Sequence, residues 1–310
     1  MRFAMVFPGQ GSQSIGMLAG LAENYPVVTD TFDEASEVLG FDLWQLCQDG
    51  PEEKLNTTQC TQPAMLAAGV AVWRVWCERG GPSPSVTAGH SLGEYSALVS
   101  AESIAFPDAV RVVADRARFM QEAVPIGIGA VAAILGLDDD AVREACTQSE
   151  QGEVVRAVNF NAPGQVVIAG HKGAVERTIE SAGAAGAKKA MMLPLSVPVH
   201  SPLMAPAAER FRETLERATF SVPSIDVLSN VEVSPYRDVD AIRRNLAAQL
   251  FSPVPWTETI VAMVNQDVGH VIEAGPGRVL TGLGKRIQRS LSGVCVFDPA
   301  TLDKALEAVS

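Results

Sequence analysis

The chain has 310 residues, of which 47% are hydrophobic and 19% are charged. A chain of this composition can bury a large core, which excludes a mainly disordered protein. Its formal net charge of −12 at pH 7 argues against nucleic-acid binding, because that affinity depends on a basic surface that neutralises phosphates. The five cysteines are scattered without a Cys-x-x-Cys pair, so we expect neither a disulfide framework nor a metal site.

The first predicted element is the strand "RFAMVF", which ends at the turn "PGQGSQ". Its apolar run is too short for a signal peptide and is broken at once by Pro8 and Gly9. No segment approaches the roughly 20 apolar residues that a transmembrane helix needs. We therefore expect a soluble, cytoplasmic protein that does not insert into a membrane.

Four further elements are predicted before residue 125. The segment "QPAMLAAGVAVWRVWCERGG" predicts a helix with Pro63 near its first position and glycines at its end. "SVTAGHSLGEYSALVSA" predicts a strand, a sharp turn and a helix, and "PDAVRVVADRARFMQEAV" predicts a second helix. The sharp turn carries Gly89-His90-Ser91-Leu92-Gly93.

From Gly129 the pattern changes to strands and helices in the order β-α-β-β-α-β, which is the ferredoxin-like order. After it, helices alternate with the strands "IDVLSN", "GHVIEAG" and "VCVFD", a pattern that favours a mostly parallel sheet covered by helices. The predicted fold class is α/β, with a larger α/β-hydrolase-like subdomain and an inserted ferredoxin-like subdomain. We place the larger subdomain at residues 1–125 and 197–310 and the insert at 126–196.

The Gly-x-Ser-x-Gly motif between a strand and a helix indicates a nucleophilic serine. Such a serine sits on a strained turn, which exposes its hydroxyl at the positive end of the following helix. Ser91 is thus the candidate nucleophile, and the Leu92 backbone N–H is a candidate donor to an oxyanion. The pentapeptide also occurs by chance, so the strand-turn-helix context carries much of this interpretation.

A serine nucleophile needs a base, and the chain has four histidines. Consecutive side chains diverge on such a turn, so His90 is poorly placed to reach Ser91, and we expect it to be a hydrogen-bonded core residue. His171 opens a predicted helix and His270 begins a predicted strand. His200 lies in the proline-rich loop "LPLSVPVHSPLM", a setting typical of catalytic residues, and is the preferred base.

Several motifs in the same order along the chain carry a family resemblance. "FPGQGSQ", "GHSLGEYSAL", "RARFMQEAVP", "NFNAPGQVVIAG", "VPVHSPLM", "QLFSPVPW" and "EAGPGRVLTGL" resemble the malonyl-CoA:acyl carrier protein transacylase family, the acyltransferases of fatty-acid and polyketide synthesis. The resemblance spans essentially the whole chain. It implies transfer of a malonyl group from malonyl-CoA to the phosphopantetheine thiol of acyl carrier protein, through a malonyl-serine ester and without a bound cofactor.

The resemblance also assigns residues. It implies that Ser91 is the nucleophile and His200 the base, that Gln10 contributes to the oxyanion site beside Leu92, and that the Gln249 main chain holds the imidazole. A backbone carbonyl can orient the histidine, so no triad aspartate is required.

Two residues of the substrate site follow from the same resemblance. Arg116 is implied to bind the malonyl carboxylate, which a planar guanidinium can hold through two parallel hydrogen bonds. By pattern alone Arg116 would be a solvated helical arginine, as we expect of Arg111 and Arg118. Asn161 is a candidate substrate contact, although Asn and Pro-Gly are also ordinary turn residues.

Acyl carrier proteins are acidic, so an acidic partner must meet them through a local basic patch. The candidates are Lys188, Lys189, Lys285 and Arg286, although each is also an ordinary solvated residue.

Three alternative functions stay open. The first is a discrete polyketide-type acyltransferase with another extender unit; Val199 precedes the base where serine is frequent in fatty-acid-type members. The second is an α/β-hydrolase esterase or thioesterase, although the HGGG-type oxyanion loop is missing. The third is a scaffold that binds carrier protein without catalysis, which the joint presence of Ser91, His200, Arg116 and Gln10 makes unattractive.

Overall fold

The structure is a computed structural model that describes residues 2–195 and 197–310. Ser196, the last residue of the predicted insert, lies outside the described residues. The strands are β1 (Phe3–Phe7), β2 (Val86–Gly89), β3 (Gly129–Leu135), β4 (Val155–Ala162), β5 (Gln165–His171), β6 (Lys189–Met192), β7 (Asp226–Val227), β8 (His270–Ala274) and β9 (Ser292–Val296).

The helices surround these strands. They are α1 (Ala19–Ala22), α2 (Val27–Leu39), α3 (Leu43–Asp49), α4 (Glu52–Leu55), α5 (Thr58–Glu78), α6 (Gly93–Ser100), α7 (Phe106–Ala123), α8 (Asp139–Ser149), α9 (Lys172–Ala184), α10 (Ala205–Arg217), α11 (Val239–Gln249), α12 (Trp256–Val264), α13 (Val279–Ile287) and α14 (Pro299–Val309), with a short 3₁₀ turn at Pro202–Met204. None of the helices in the described ranges is long and apolar enough to cross a bilayer.

Sheet A has the strand order β7-β2-β1-β8-β9, and each of its pairs is parallel. Side chains alternate along β1, so Phe3, Met5 and Phe7 pack into one core with α2, α5 and α7. Ala4 and Val6 face the opposite side and pack with α12 and α13. Burial on both faces explains why "FAMVF" is apolar at every position.

Sheet B has the order β4-β5-β3-β6 and is antiparallel. Helices α8 and α9 cover one of its faces, which gives the ferredoxin-like arrangement. A small apolar cluster that includes Val131, Val158 and Val167 lies on the other face. The predicted α/β fold class, with a mostly parallel sheet and a ferredoxin-like unit, is confirmed; the subdomain boundaries near residues 125 and 197 stay a prediction.

The two sheets meet where β4 runs beside the segment that precedes α12. Asn159 forms a parallel bridge with Val254, and the Phe160 N–H donates to the Val254 carbonyl at 3.0 Å. Thr257 Oγ1 donates to the Phe160 carbonyl at 3.1 Å. These bonds hold the end of β4 against the larger layer, beside the turn that carries Ser91.

Two predicted elements differ from the structure. Helix α5 begins at Thr58, so Pro63 is its sixth residue and lies inside the helix. Pro63 cannot donate to the Gln59 carbonyl, but nearly the whole of α5 up to Val72 is buried. Packing of this long apolar helix therefore outweighs the one lost hydrogen bond.

The predicted strand "IDVLSN" is also shorter than expected, since β7 contains only Asp226 and Val227. The chain leaves the sheet because the residues that follow have other partners. Ser229 Oγ accepts the N–H groups of Val231 and Glu232, while Asn230 reaches the turn at Ser91.

Candidate active site

Ser91 stands at the tip of the turn between β2 and α6, with a φ of 51°. Close backbone contacts enforce this turn. A Cβ added to Gly89 would lie 1.7 Å from the Gly93 carbonyl carbon, and one added to Gly93 would lie 2.0 Å from the Phe7 carbonyl oxygen. The two glycines of the motif are thus required by packing, and they place Ser91 above the carboxyl end of the parallel sheet.

We expect Gly93→Ala to unfold the elbow region and to lower the melting temperature strongly, because no flexible side chain can yield to the new Cβ. The matched control is Gly183→Ala in helix α9, where nothing lies within 4 Å of the added Cβ. That variant should keep or slightly raise the melting temperature, since alanine favours helix. Equal melting temperatures for the two variants, measured by calorimetry, would contradict the steric account.

His200 contacts the candidate nucleophile although it lies 109 positions downstream. Its Nε2 is 2.7 Å from Ser91 Oγ, and its Nδ1 donates to the Gln249 carbonyl at 2.7 Å. The imidazole is buried, with only 2% of the residue exposed. A backbone carbonyl therefore fixes the tautomer in which Nε2 can accept the serine proton, the task that a triad carboxylate performs elsewhere.

Burial, together with the nearby positive charge of Arg116, lowers the pKa of His200 to about 3. The imidazole is thus neutral, and able to act as a base, at every pH well above that value. In ¹⁵N NMR spectra we expect His200 to show the neutral Nδ1–H tautomer throughout the range from about pH 5 to pH 8. A His200 titration with a midpoint near the ordinary value of about 6.5 would contradict this environment.

Arg116 lies inside the protein, with 1% of the residue exposed. Its Nη2 donates to Ser91 Oγ at 3.1 Å, and to Gln249 Oε1 at 2.9 Å. Its Nη1 donates to Gln62 Oε1 at 2.6 Å. By contrast, Arg111 and Arg118 on the same helix are exposed and form ion pairs with acids three residues earlier.

The Gln249 side chain links several of these groups. Its Nε2 donates to the Ser91 carbonyl at 3.0 Å and to Glu94 Oε2 at 2.5 Å, while its Oε1 accepts from Arg116. Its main-chain carbonyl accepts from His200. Gln249, at the end of α11, thus contacts the turn that carries Ser91, the candidate base His200 and the guanidinium of Arg116.

Four residues around the site were not identified from the sequence: Gln62, Glu94, Asn230 and Tyr236. Asn230 Oδ1 accepts the Ser91 N–H at 2.8 Å, and its Nδ2 donates to the Gly89 carbonyl at 2.7 Å. The Tyr236 hydroxyl donates to Glu94 Oε1 at 2.6 Å. One available signal was Glu94, the only charged residue in the otherwise uncharged segment "GEYSALVSA", a pattern that indicates a buried acid with partners.

His90 forms a hydrogen bond, as expected, but it is less buried than a core residue. It is half-buried, its ring packs 5.4 Å from that of Trp256, and its Nε2 is 2.8 Å from Asn161 Oδ1. Its Nε2 contacts Asn161, whereas Ser91 Oγ contacts His200. Asn161, at the end of β4, therefore ties sheet B to the elbow.

The candidate oxyanion region lies at the elbow, and Gln10, in the turn after β1, lines the same cavity. The Ser91 N–H donates to Asn230 Oδ1. The Gly93 N–H donates to the His90 carbonyl and the Glu94 N–H to the Ser91 carbonyl. Within residues 2–195 and 197–310, the Leu92 N–H has no acceptor. It is therefore available to an oxyanion on a group attached to Ser91.

A cavity of about 230 Å³ opens above Ser91. Gln10, Arg116 and His200 line it on the sheet A side, with Asn161 and Val131 on the sheet B side. Apolar side chains of α13, including Leu280 and Leu283, complete the wall. The cavity thus lies between the two layers, where it can hold a small acyl group beside the serine.

The predicted basic patch does not contribute to this cavity. Lys188, Lys189, Lys285 and Arg286 are all exposed. Arg286 Nη1 donates to Gln165 Oε1 at 2.6 Å, which joins α13 to the start of β5. Their contact with a carrier protein stays a prediction.

This site has the geometry of a serine acyl-transfer enzyme: a half-buried hydroxyl that faces a cavity, a neutral histidine, a free N–H for an oxyanion and a buried arginine. Comparison with known proteins agrees, since the acyl transferase domain family matches residues 4–300. The chain belongs to this acyltransferase family.

Curated relatives are similar over nearly the full length. The chain is 56% identical over 305 residues to the malonyl CoA-acyl carrier protein transacylase of Salmonella typhimurium, covering 98% of this chain and 99% of that protein. It is 43% identical over 309 residues to the protein of the same name in Bacillus subtilis, covering 99% and 97%.

Solved structures are similar as well. A malonyl-transacylase in complex with a type II PKS acyl-carrier protein has a TM-score of 0.98 at 56% identity, covering 99% of this chain and 100% of that one. An acyl carrier protein S-malonyltransferase from Vibrio cholerae has a TM-score of 0.96 at 57% identity, covering 98% and 100%.

Proposed function

We propose that this acyltransferase moves a malonyl group from malonyl-CoA to the phosphopantetheine thiol of acyl carrier protein, through an ester on Ser91, and so supplies fatty-acid synthesis. The observation that carries the proposal is the buried Arg116 guanidinium, 3.1 Å from Ser91 Oγ. A cation at this position suits an acyl group that has its own carboxylate.

In the first half-reaction, His200 Nε2 accepts the Ser91 hydroxyl proton while Oγ attacks the thioester carbon of malonyl-CoA. The resulting oxyanion receives a hydrogen bond from the Leu92 N–H, with Gln10 lining the same wall. When the tetrahedral intermediate collapses, the carbon–sulfur bond breaks and the CoA sulfur takes the proton from His200. The product is malonyl-Ser91.

The second half-reaction reverses these steps with a different thiol. His200 accepts the proton of the carrier's phosphopantetheine thiol, and its sulfur attacks the malonyl ester. Collapse of this intermediate breaks the ester bond and returns the proton to Ser91 Oγ. Every proton and every group transfer is assigned to Ser91, His200 or a thiol, so the proposed reaction needs no bound cofactor.

Substrate selection is assigned to Arg116. The malonyl carboxylate accepts two parallel hydrogen bonds from the guanidinium, which also holds the thioester carbonyl against Ser91. Asn161 is retained as a candidate contact on the opposite wall, although its Oδ1 is engaged by His90 in the structure. The cavity between the two layers limits the access of water to the ester, which favours transfer over hydrolysis.

For the carrier protein we propose contact with the exposed cations Lys188, Lys189, Lys285 and Arg286, because a protein of net charge −12 must meet an acidic partner through local positive charge. We also place the enzyme in the cytoplasm, which agrees with five free cysteines.

A second candidate function is transfer of the malonyl group to a polyketide carrier protein. It is favoured by one observation, the similarity to a malonyl-transacylase solved with a type II PKS acyl-carrier protein. The two pathways need the same chemistry at Ser91, so only the choice of carrier separates them.

The test is a discharge experiment. Malonyl-enzyme freed of CoA is mixed with a fatty-acid-type holo carrier protein, with a type II polyketide holo carrier protein, or with buffer. We expect rapid formation of malonyl-carrier with the fatty-acid type and slow loss in buffer. Release of free malonate at one rate in all three samples would identify a hydrolase and contradict the proposal, and preference for the second carrier would support the polyketide alternative.

A further inference from the structure

Glu94 is a buried carboxylate to which the proposed mechanism gives no task. It lies in the first turn of α6, three residues after Ser91, and none of the residue is exposed to solvent. Burial raises the pKa of Glu94 to about 7, against the lowering effect of hydrogen bonds from Tyr236 and Gln249. Burial of a carboxylate is costly unless its hydrogen-bond partners are well placed, so its contacts require an explanation.

Three donors from two other segments converge on Glu94. Tyr236 Oη and the Asn230 N–H donate to Oε1, at 2.6 and 3.3 Å. Gln249 Nε2 donates to Oε2 at 2.5 Å. The convergence of donors favours the carboxylate form, which can only accept hydrogen bonds.

The contact with Gln249 determines how its side-chain amide is oriented. A carboxylate must face the NH₂ end of the amide, whereas the guanidinium of Arg116 must face its oxygen, because arginine can only donate. The observed bonds have this polarity: Arg116 Nη2 donates to Gln249 Oε1, and Gln249 Nε2 donates to Glu94. The two charges, together with the Ser91 carbonyl that also accepts from Nε2, select one of the two amide orientations.

The same arrangement places a negative charge near Arg116 without occupying its donors. The acceptors of its guanidinium are two amide oxygens and Ser91 Oγ. A carboxylate placed directly against Arg116 would compete with a substrate carboxylate, whereas Glu94 acts from behind Gln249. The free donors of Arg116 thus stay available to the substrate.

From this arrangement we propose that Glu94 is a positioning residue that fixes the Gln249 amide and, through it, sets Arg116 for a carboxylate-bearing acyl group. The inference rests on the proposed function, since it assigns Arg116 to the malonyl carboxylate. A glutamine side chain can either donate or accept, so Glu94→Gln removes the charged acceptor of the Gln249 amide nitrogen and leaves it only the Ser91 carbonyl. Gln249 Oε1 is then held less firmly as an acceptor for Arg116, while the Ser91 and His200 pair keeps its own contact.

The test compares acylation of Ser91 by malonyl-CoA and by acetyl-CoA in single-turnover reactions at about pH 8, where an acid of raised pKa is mainly ionised. We expect Glu94→Gln to lower the malonyl-to-acetyl ratio of rate constants roughly tenfold, mainly through weaker malonyl-CoA binding. Tyr236→Phe removes one donor from Glu94 and should lower the ratio in the same direction by a smaller factor. If Glu94→Gln does not fold, Tyr236→Phe decides the question.

Glu273→Gln is the matched control. Glu273 is equally buried and accepts three hydrogen bonds, but these come from Leu280 and Thr281 at the start of α13. We expect it to lower the melting temperature and to leave the malonyl-to-acetyl ratio unchanged.

A folded Glu94→Gln variant with the wild-type ratio, or with equal losses for both acyl groups, would overturn the positioning role. Failure of the wild type itself to accept malonyl-CoA would instead overturn the proposed function.

Discussion

Ser91→Ala is expected to lower malonyl transfer by about 10⁴-fold or more, because it removes the atom that forms the proposed ester and leaves only binding and the oxyanion site. The fold should persist, since alanine fits the same backbone and the Asn230 contact is made by the main-chain N–H of this residue. Transfer is measured as malonyl-carrier formed per enzyme per second.

The control for this variant is Ser100→Ala at the other end of helix α6. The Ser100 hydroxyl donates only to the Ala97 carbonyl of its own helix, so its loss should leave transfer within a few-fold of wild type. A Ser91→Ala enzyme with comparable activity would remove Ser91 from the mechanism and require another nucleophile.

Arg116→Ala is expected to lower kcat/KM for malonyl-CoA by about 100-fold or more, because two hydrogen bonds to a charged group, each contributing about 1.5–3 kcal/mol, are lost. Acetyl-CoA has no carboxylate to bind, so its acylation rate should fall much less or rise. The predicted result is therefore a change in selectivity, measured by competition between the two thioesters.

Two further variants complete this comparison: one separates the charge of Arg116 from its geometry, and the other is a control on the same helix. Arg116→Lys keeps the positive charge but loses the planar fork, and it should recover only part of the malonyl preference. Arg111→Ala, on the exposed face of the same helix, should keep the wild-type preference. Equal losses for malonyl-CoA and acetyl-CoA in Arg116→Ala would show that the arginine is structural.

The sequence predicted the parts of the fold that local chemistry determines. Alternating strands and helices gave the parallel sheet, and the β-α-β-β-α-β order gave the ferredoxin-like unit. The glycines around Ser91 predicted a tight turn, and the structure shows the contacts that require them, down to 1.7 Å for an added Cβ at Gly89. Periodicity and turn chemistry act within a few residues, which is why they are readable from the chain.

The errors came from interactions between distant segments. Pro63 indicates a helix start by local rules, yet α5 begins at Thr58 because its buried length packs against its neighbours. The strand at β7 is shortened because Ser229 and Asn230 are engaged elsewhere. Neither effect has a local signature.

In the candidate site, too, some residues are predictable from local sequence and others only from contacts between distant segments. Ser91 follows from its own motif, and His200 is favoured by its loop, but Arg116 is indistinguishable from Arg111 by spacing alone. The resemblance identified Arg116 and Gln249 as site residues, and the structure shows why they differ from their neighbours: both are buried and contact Ser91. Glu94 and Tyr236 meet across 142 positions, a pairing that only the folded chain displays.

The central claim is that malonyl-CoA acylates Ser91. Its most direct test is the intact mass of the enzyme after brief exposure to malonyl-CoA, followed by peptide mapping of the adduct. We predict a single malonyl adduct on Ser91 that holo carrier protein removes, and no such adduct in Ser91→Ala. A wild-type mass that malonyl-CoA leaves unchanged, or an adduct on another residue, would contradict the account.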